Sequence, residues 1–93
     1  MRDEKIVSVA RRIVEGTVEP QEGMGRIIAL GYELGCEDDE LILALRGIDS
    51  QMDDVGLLRA PNLSKELAKE LEEKKRRFAD DILAIAKEIV ARE

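Results

Sequence analysis

The sequence lacks histidine and tryptophan, and it contains one cysteine, Cys36. Histidine is the commonest general base and the commonest metal ligand, so its absence removes the usual members of a catalytic or metal site. A single cysteine cannot form a disulfide within the chain, and nothing in this pattern indicates an oxidising compartment. We therefore predict that the chain is not an enzyme and that it holds no metal or cofactor.

Aromatic residues are also scarce, at 2% of the 93 residues, while aliphatic residues are common. The length suits a single domain spanning residues 1–93, and its core must be aliphatic, with Tyr32 and Phe78 as the only rings. Apolar runs are only a few residues long, which is too short for a membrane span or a signal peptide. The expected location is the cytoplasm, with no contact to a membrane.

Periodic apolar residues predict an all-α fold. Helices are expected over residues 3–15, over 20–34 with Pro20 in the first turn, and from the acidic residues 37–40 to about 48. A loop of about ten residues is expected to follow, held to the core by Leu57 and Leu58. A short β-strand near 41–48 or 55–59 is the alternative at these positions.

The last third of the chain, residues 64–92, is predicted to be one long helix that begins at the N-cap Ser64. Its apolar positions follow a strict three-four alternation with Lys75 as the one interruption, and a second apolar row joins from Phe78 onward. The predicted architecture is three short helices packed on the C-terminal half of this long helix. Lys75 is expected either to lay its stem along the edge of the core or to lie beyond the core.

The charges of the long helix argue against nucleic-acid binding. Residues 64–81 carry six basic and six acidic side chains, and five acid–base pairs have helical i,i+4 spacing. The pairs are Glu70–Lys74, Glu72–Arg76, Glu73–Arg77, Arg76–Asp80 and Arg77–Asp81. We therefore expect a solvated face of ion pairs on this helix, and no nucleic acid among the partners.

The net charge of −6 is concentrated in residues 33–54, where eight acidic side chains stand against Arg46 alone. Asp49 does not start a calcium loop, because Asp54 and Ala60 occupy the positions of the required Gly and Glu; weak divalent-ion binding stays open. Acids at a helix start need no function, and solubility explains the rest equally well. The competing hypothesis is a binding surface for a basic protein, as in an immunity protein or another nuclease inhibitor. Its candidate residues are Glu37, Asp38, Asp39, Asp49, Asp53 and Asp54.

The alternative hypothesis is a self-associating structural protein. The N-terminal half of the long helix is longer than a domain of this size needs, and its apolar residues are free to meet a second copy. Leu67, Leu71 and Phe78 are the candidates for this contact. A homodimer is therefore the alternative to a complex with a different protein.

The order of several features resembles a group of short bacterial proteins of unassigned function. The features are Glu22-Gly23 with Arg26, the acids 37–40, Ile48-Asp49-Ser50 with Asp53, and Ser64 with Glu66. The central signature of that group is similar to I-D-S-E-T-D followed by Pro and Gly. Here Gln51 and Met52 stand at its fourth and fifth positions, and no proline follows before Pro61. The resemblance implies a compact helical domain in a bacterial cytoplasm.

Overall fold

The structure, a computed structural model, describes residues 4–92 and is all-α in this range. Its elements are α1 (Glu4–Glu15), α2 (Pro20–Glu33), α3 (Glu40–Gln51), a 3₁₀ helix (Asp53–Arg59) and α4 (Lys65–Ala91). The predicted fold class is confirmed, and the described residues contain no strand at 41–48 or 55–59. Residue 3, the predicted start of the first helix, lies outside the described range.

Local chemistry explains where the helices begin and end. Asp39 and Ser64 are N-caps, whose side chains accept hydrogen bonds from the N–H groups of Leu41 at 2.9 Å and Leu67 at 3.2 Å. Gly16 and Gly35 follow the first two helices with positive φ angles of 81° and 74°, a conformation that side-chain-bearing residues disfavour. These signals can be read directly from the sequence.

The long helix α4 contacts every other element, whereas α1 and α3 do not contact each other. The C-terminal half of α4 belongs to the core, with Ile82, Ala86 and Ile89 almost fully buried. The predicted packing on this half is therefore confirmed. The N-terminal half does not project freely, because α4 also packs on the 3₁₀ helix and Leu71 is only 4% exposed.

The core is aliphatic, as expected, and the described residues include no buried charged side chain. Phe78 packs against the core from a half-buried position. Tyr32 is 54% exposed, so the expectation of two core rings is wrong for this residue. The buried apolar residues of the main core cluster are Ile6, Val7, Ala10, Ile13, Met24, Ile27, Leu41, Ile42, Leu45, Met52, Val55, Ile82, Ala86 and Ile89.

Helix α3 is less buried than its sequence suggests. An apolar sequence on almost every side predicts the central helix, but only Leu41, Ile42 and Leu45 are buried. Leu43 is 45% exposed, and Leu34, whose spacing of three residues after the buried Gly31 predicts a buried position, is 40% exposed. A four-helix domain of this size has too few elements to cover a helix on both sides.

The expected loop after the third helix is mostly helical. Helix α3 continues to Gln51, and the 3₁₀ helix occupies most of the remaining segment. Met52 and Val55 are buried and Leu58 is half-buried, because a 3₁₀ helix has 3.0 residues per turn and places every third residue on one side. Leu57 is 50% exposed, so its predicted role in holding this segment is wrong.

Two of the three glycines inside α2 permit close packing. A Cβ atom on Gly31 would lie 3.1 Å from Cδ1 of Ile42 in α3, so the absence of a side chain at Gly31 gives Ile42 room to pack against α2. A Cβ atom on Gly23 would overlap the buried side chain of Ile13 in α1. Nothing lies within 4 Å of the corresponding position at Gly25.

We predict that Gly23→Ala destabilises the fold. Overpacking against Ile13 costs about 1–3 kcal/mol, more than the roughly 0.5–1 kcal/mol that alanine contributes in a helix. Gly25→Ala is the matched control and should stabilise by about 0.5–1 kcal/mol. Urea unfolding of both variants measures this difference, and equal effects would contradict the packing assigned to Gly23.

Candidate functional site

The six acidic residues predicted to bind a partner fall into two groups at opposite ends of α3. Glu37, Asp38 and Asp39 precede the helix, while Asp49 lies in its last turn and Asp53 and Asp54 open the 3₁₀ helix. The twelve residues of α3 separate the groups by roughly 18 Å at 1.5 Å per residue. The structure thus divides the predicted acidic surface into two smaller surfaces.

In the first group, Asp39 contributes to the fold through its side chain and Glu37 through its main chain. Asp39 caps α3, and the main-chain carbonyl of Glu37 accepts a hydrogen bond of 3.3 Å from Nη1 of Arg46. The Oε2 atom of Glu37 is buried and has no hydrogen-bond partner among residues 4–92. Asp38 is exposed, and its side chain makes no ion pair or hydrogen bond within this range.

In the second group, Asp54 is held by the long helix. Nζ of Lys74 donates hydrogen bonds of 2.8 and 2.9 Å to the two carboxylate oxygens of Asp54. The hydrogen bond from Lys74 lowers the pKa of Asp54 below its ordinary value, aided by the Lys74 charge and by the N–H groups of Asp54 and Val55 and opposed by partial desolvation. Asp49 and Asp53 are exposed.

The predicted ladder of ion pairs on α4 is not formed. Within the described residues, none of the five i,i+4 pairs brings its charged atoms within 4.0 Å, and Lys74 pairs with Asp54 instead of Glu70. Exposed ion pairs contribute little, so long solvated side chains need not close them. The ion pairs that form on α4 in the described part of the chain lie at its C-terminal end and at Lys74, and Arg92 contacts both Glu88 at 2.6 Å and Glu40 at 3.6 Å.

An exposed aromatic side chain lies beside the first acidic group. The guanidinium of Arg46 sits 5.2 Å from the ring centroid of Tyr32, and the same residue bonds the Glu37 carbonyl. Leu43 lies one turn before Arg46 on α3 and is 45% exposed. We name Tyr32, Leu43 and Arg46, with the adjoining residues 37–39, the Tyr32 surface.

Sequence reasoning did not single out Tyr32 and Leu43. Both were assigned to the core because apolar and aromatic residues are usually buried in small domains. The sequence signal for Tyr32 is mixed. It lies one residue after Gly31, off the stripe formed by Met24, Ile27 and Gly31, whereas its spacing of four residues after the half-buried Ile28 favours burial.

The residues predicted to self-associate differ in exposure. Leu67 is 38% exposed, Phe78 is half-buried beneath Nζ of Lys74 at 5.8 Å from the ring centroid, and Leu71 is 4% exposed. Little of Leu71 is therefore available to a second copy. Leu57 of the 3₁₀ helix, which was not predicted, is 50% exposed.

The structure also bears on the single cysteine, on metal binding and on membrane spans. Cys36 is half-buried in the turn before α3. Across residues 4–92, no three acidic or cysteine side chains come together in a group able to hold a metal ion. None of the helices in the described part of the chain combines the length and the apolar character needed to cross a membrane.

Comparisons of the chain with protein-family models, with curated proteins and with solved structures give no match.

We predict that Lys74→Gln returns the pKa of Asp54 toward its ordinary value, because the substitution removes the hydrogen-bonding charge. A lowered pKa means that the bridge stabilises the fold above the ordinary aspartate value of 3.8 and that this contribution is lost as the pH falls through the lowered value. A ¹³C NMR titration of the Asp54 carboxyl measures the change. Lys69→Gln on the same helix is the control, and an unshifted titration in Lys74→Gln would contradict the bridge.

Proposed function

We propose that this protein is a binding module that engages a basic partner protein through the Tyr32 surface, in the manner of an inhibitor or immunity protein. The observation that carries the proposal is the position of Tyr32, one of only two aromatic residues in the chain, exposed beside an acidic helix start. Tyrosine is enriched among the residues that dominate binding energy in protein interfaces.

The charge of this surface supports a basic partner. Residues 33–54 contain one basic side chain, Arg46, and its guanidinium already faces the Tyr32 ring and the Glu37 carbonyl. Asp38 is exposed and without a structural partner among residues 4–92. Such a carboxylate speeds association with a positive surface and rejects a negative one.

The apolar part of the surface supports a protein rather than a small ion as the partner. Tyr32 and Leu43 are exposed by 54% and 45%. Apolar and aromatic area at the centre with charge at the rim is the usual composition of an interface between proteins.

We predict that Tyr32→Ala weakens the complex by roughly thirtyfold, the effect expected at a binding hot spot. The partner is first captured from the native cell and identified by mass, and calorimetry then measures its dissociation constant. Val14→Ala on α1 is the control, since Val14 is an apolar residue of 39% exposure on a helix that does not contact α3. Unchanged affinity in Tyr32→Ala would contradict the proposal.

Asparagine substitutions at the two ends of α3, measured in the same experiment, show which end of the helix the partner contacts. Asp38→Asn should slow association, with an effect that shrinks as salt screens the charge. The double substitution Asp49→Asn and Asp53→Asn removes two exposed charges from the other end of the helix. A larger effect from the double substitution would place the partner away from the Tyr32 surface.

The second candidate function is self-association through the N-terminal half of α4, favoured by the exposure of Leu67 and Leu57. Under this proposal the wild-type protein sediments as a dimer and Leu67→Glu shifts it to the monomer. Val14→Glu controls for a new surface charge. A wild-type monomer at high concentration would rule out this function.

A further inference from the structure

A cleft opens between the start of α2, the 3₁₀ helix and the middle of α4. It consists of two cavities, of about 230 and 410 Å³, and both have Gln21 and Lys75 as walls. The buried side chains of Met52 and Ile82 line the first cavity, and Val55 lines the second. We name it the α2–α4 cleft. It lies at the opposite end of α2 from Tyr32.

The cleft explains why Lys75 interrupts the apolar stripe of α4. The neighbouring stripe positions are filled, since Leu71 is 4% exposed and the half-buried Phe78 packs against the core. At the position of Lys75 the other elements leave a cleft instead of packed side chains. Lys75 is exposed and has no ion-pair partner within residues 4–92. The positive charge of Lys75 therefore lies beside the apolar residues that line the α2–α4 cleft.

The cleft is bordered by equal numbers of basic and acidic residues, and the position of Lys75 between the two cavities is what favours an anion. Lys75 is the one charged residue that borders both cavities, and Arg59 adds a second positive charge to the larger one. Each cavity has one acidic residue, Glu19 in the smaller and Glu72 in the larger. The acids border one cavity each, whereas the lysine stands where the two cavities meet.

The size and lining of the cleft favour a small molecule. Ligand sites are concave, mostly apolar and have a few polar groups that fix orientation. An apolar cavity of about 150 Å³ is enough to bind benzene, and the smaller cavity exceeds this volume. Met52 in its floor is unbranched and adapts to the shape of an apolar ligand.

We propose that the α2–α4 cleft binds a small anion with a short aliphatic chain, of the medium-chain carboxylate class. The chain lies on Met52, Ala79 and Ile82, and the carboxylate accepts hydrogen bonds from Nζ of Lys75. This site is independent of the Tyr32 surface, so either proposal stands if the other fails.

The test is a titration with sodium octanoate below its micelle concentration, followed by NMR of the methyl groups. The Met52, Ala79 and Ile82 signals should shift and saturate together. Octanol carries the same chain without charge and should bind about three to five times more weakly, the effect of one exposed charge pair. Octyltrimethylammonium reverses the charge and should bind more weakly still.

Two matched pairs of variants separate the ligand's chain from its charge. Ala79→Leu fills the cleft and should remove saturable binding, whereas Ala84→Leu places the same side chain on an exposed position of α4. Lys75→Gln should weaken octanoate to the level of octanol, whereas Lys69→Gln should not. Circular dichroism melting curves show whether each variant remains folded. The comparison of octanoate with octanol uses the wild-type protein, so it tests the proposal even if a variant unfolds.

Three outcomes would overturn the proposal. Equal dissociation constants for octanoate and octanol would show that Lys75 does not bind the carboxylate. Unsaturable shifts at exposed residues such as Leu43 and Leu57 would indicate non-specific surfactant binding. Concentration-dependent shifts of the Met52 and Ile82 methyl groups without octanoate, together with a dimer in sedimentation, would show that a second copy fills the cleft.

Discussion

The packing of the short elements on α4 is the interaction on which the rest of the structure depends. Helices α1 and α3 do not contact each other, so α4 and α2 alone hold them in one domain. Ile82 and Ile89 are completely buried in this contact, and burying each such side chain contributes about 1.5–3 kcal/mol. A 93-residue chain has a small margin of stability, so the loss of this contact would remove a large share of it.

The parts of the fold that sequence predicts well are those with local causes. Ser64 and Asp39 cap their helices through their own side chains, and Gly16 and Gly35 end theirs through backbone freedom, so helix bounds follow within a few residues. The 3₁₀ helix after α3 is harder to predict from sequence. The pattern of Met52, Val55 and Leu58 at three-residue spacing is short, and a loop held to the core by apolar side chains gives a similar pattern. The helical form of this segment depends on packing against α4.

The sequence predicts which residue types form the candidate site, but it does not predict how those residues are arranged in space. The acidic middle of the chain is visible in the sequence, but its division into two ends follows only from α3 being helical to Gln51. The Asp54–Lys74 pair joins residues 20 apart, and sequence spacing favoured Glu70 as the local partner of that lysine. The exposure of Tyr32 could not be read reliably, because a rotation of about 100° about the axis of α2, the angle between consecutive residues, decides between core and solvent.

The candidate functional residues are those whose exposure or charge differs from what the surrounding sequence pattern predicts. The caps, the aliphatic stripes and the glycines packed against Ile13 and Ile42 all agree with one fold. Tyr32 and Leu43 depart from that agreement by exposing apolar area, and Lys75 departs from it by placing a charge in an apolar stripe. Natural sequences break local consistency mainly at functional sites. Asp39 and Asp54 have structural partners. We therefore propose that the exposed side chains of Asp38 and Tyr32 select a binding partner and that Lys75 selects a ligand.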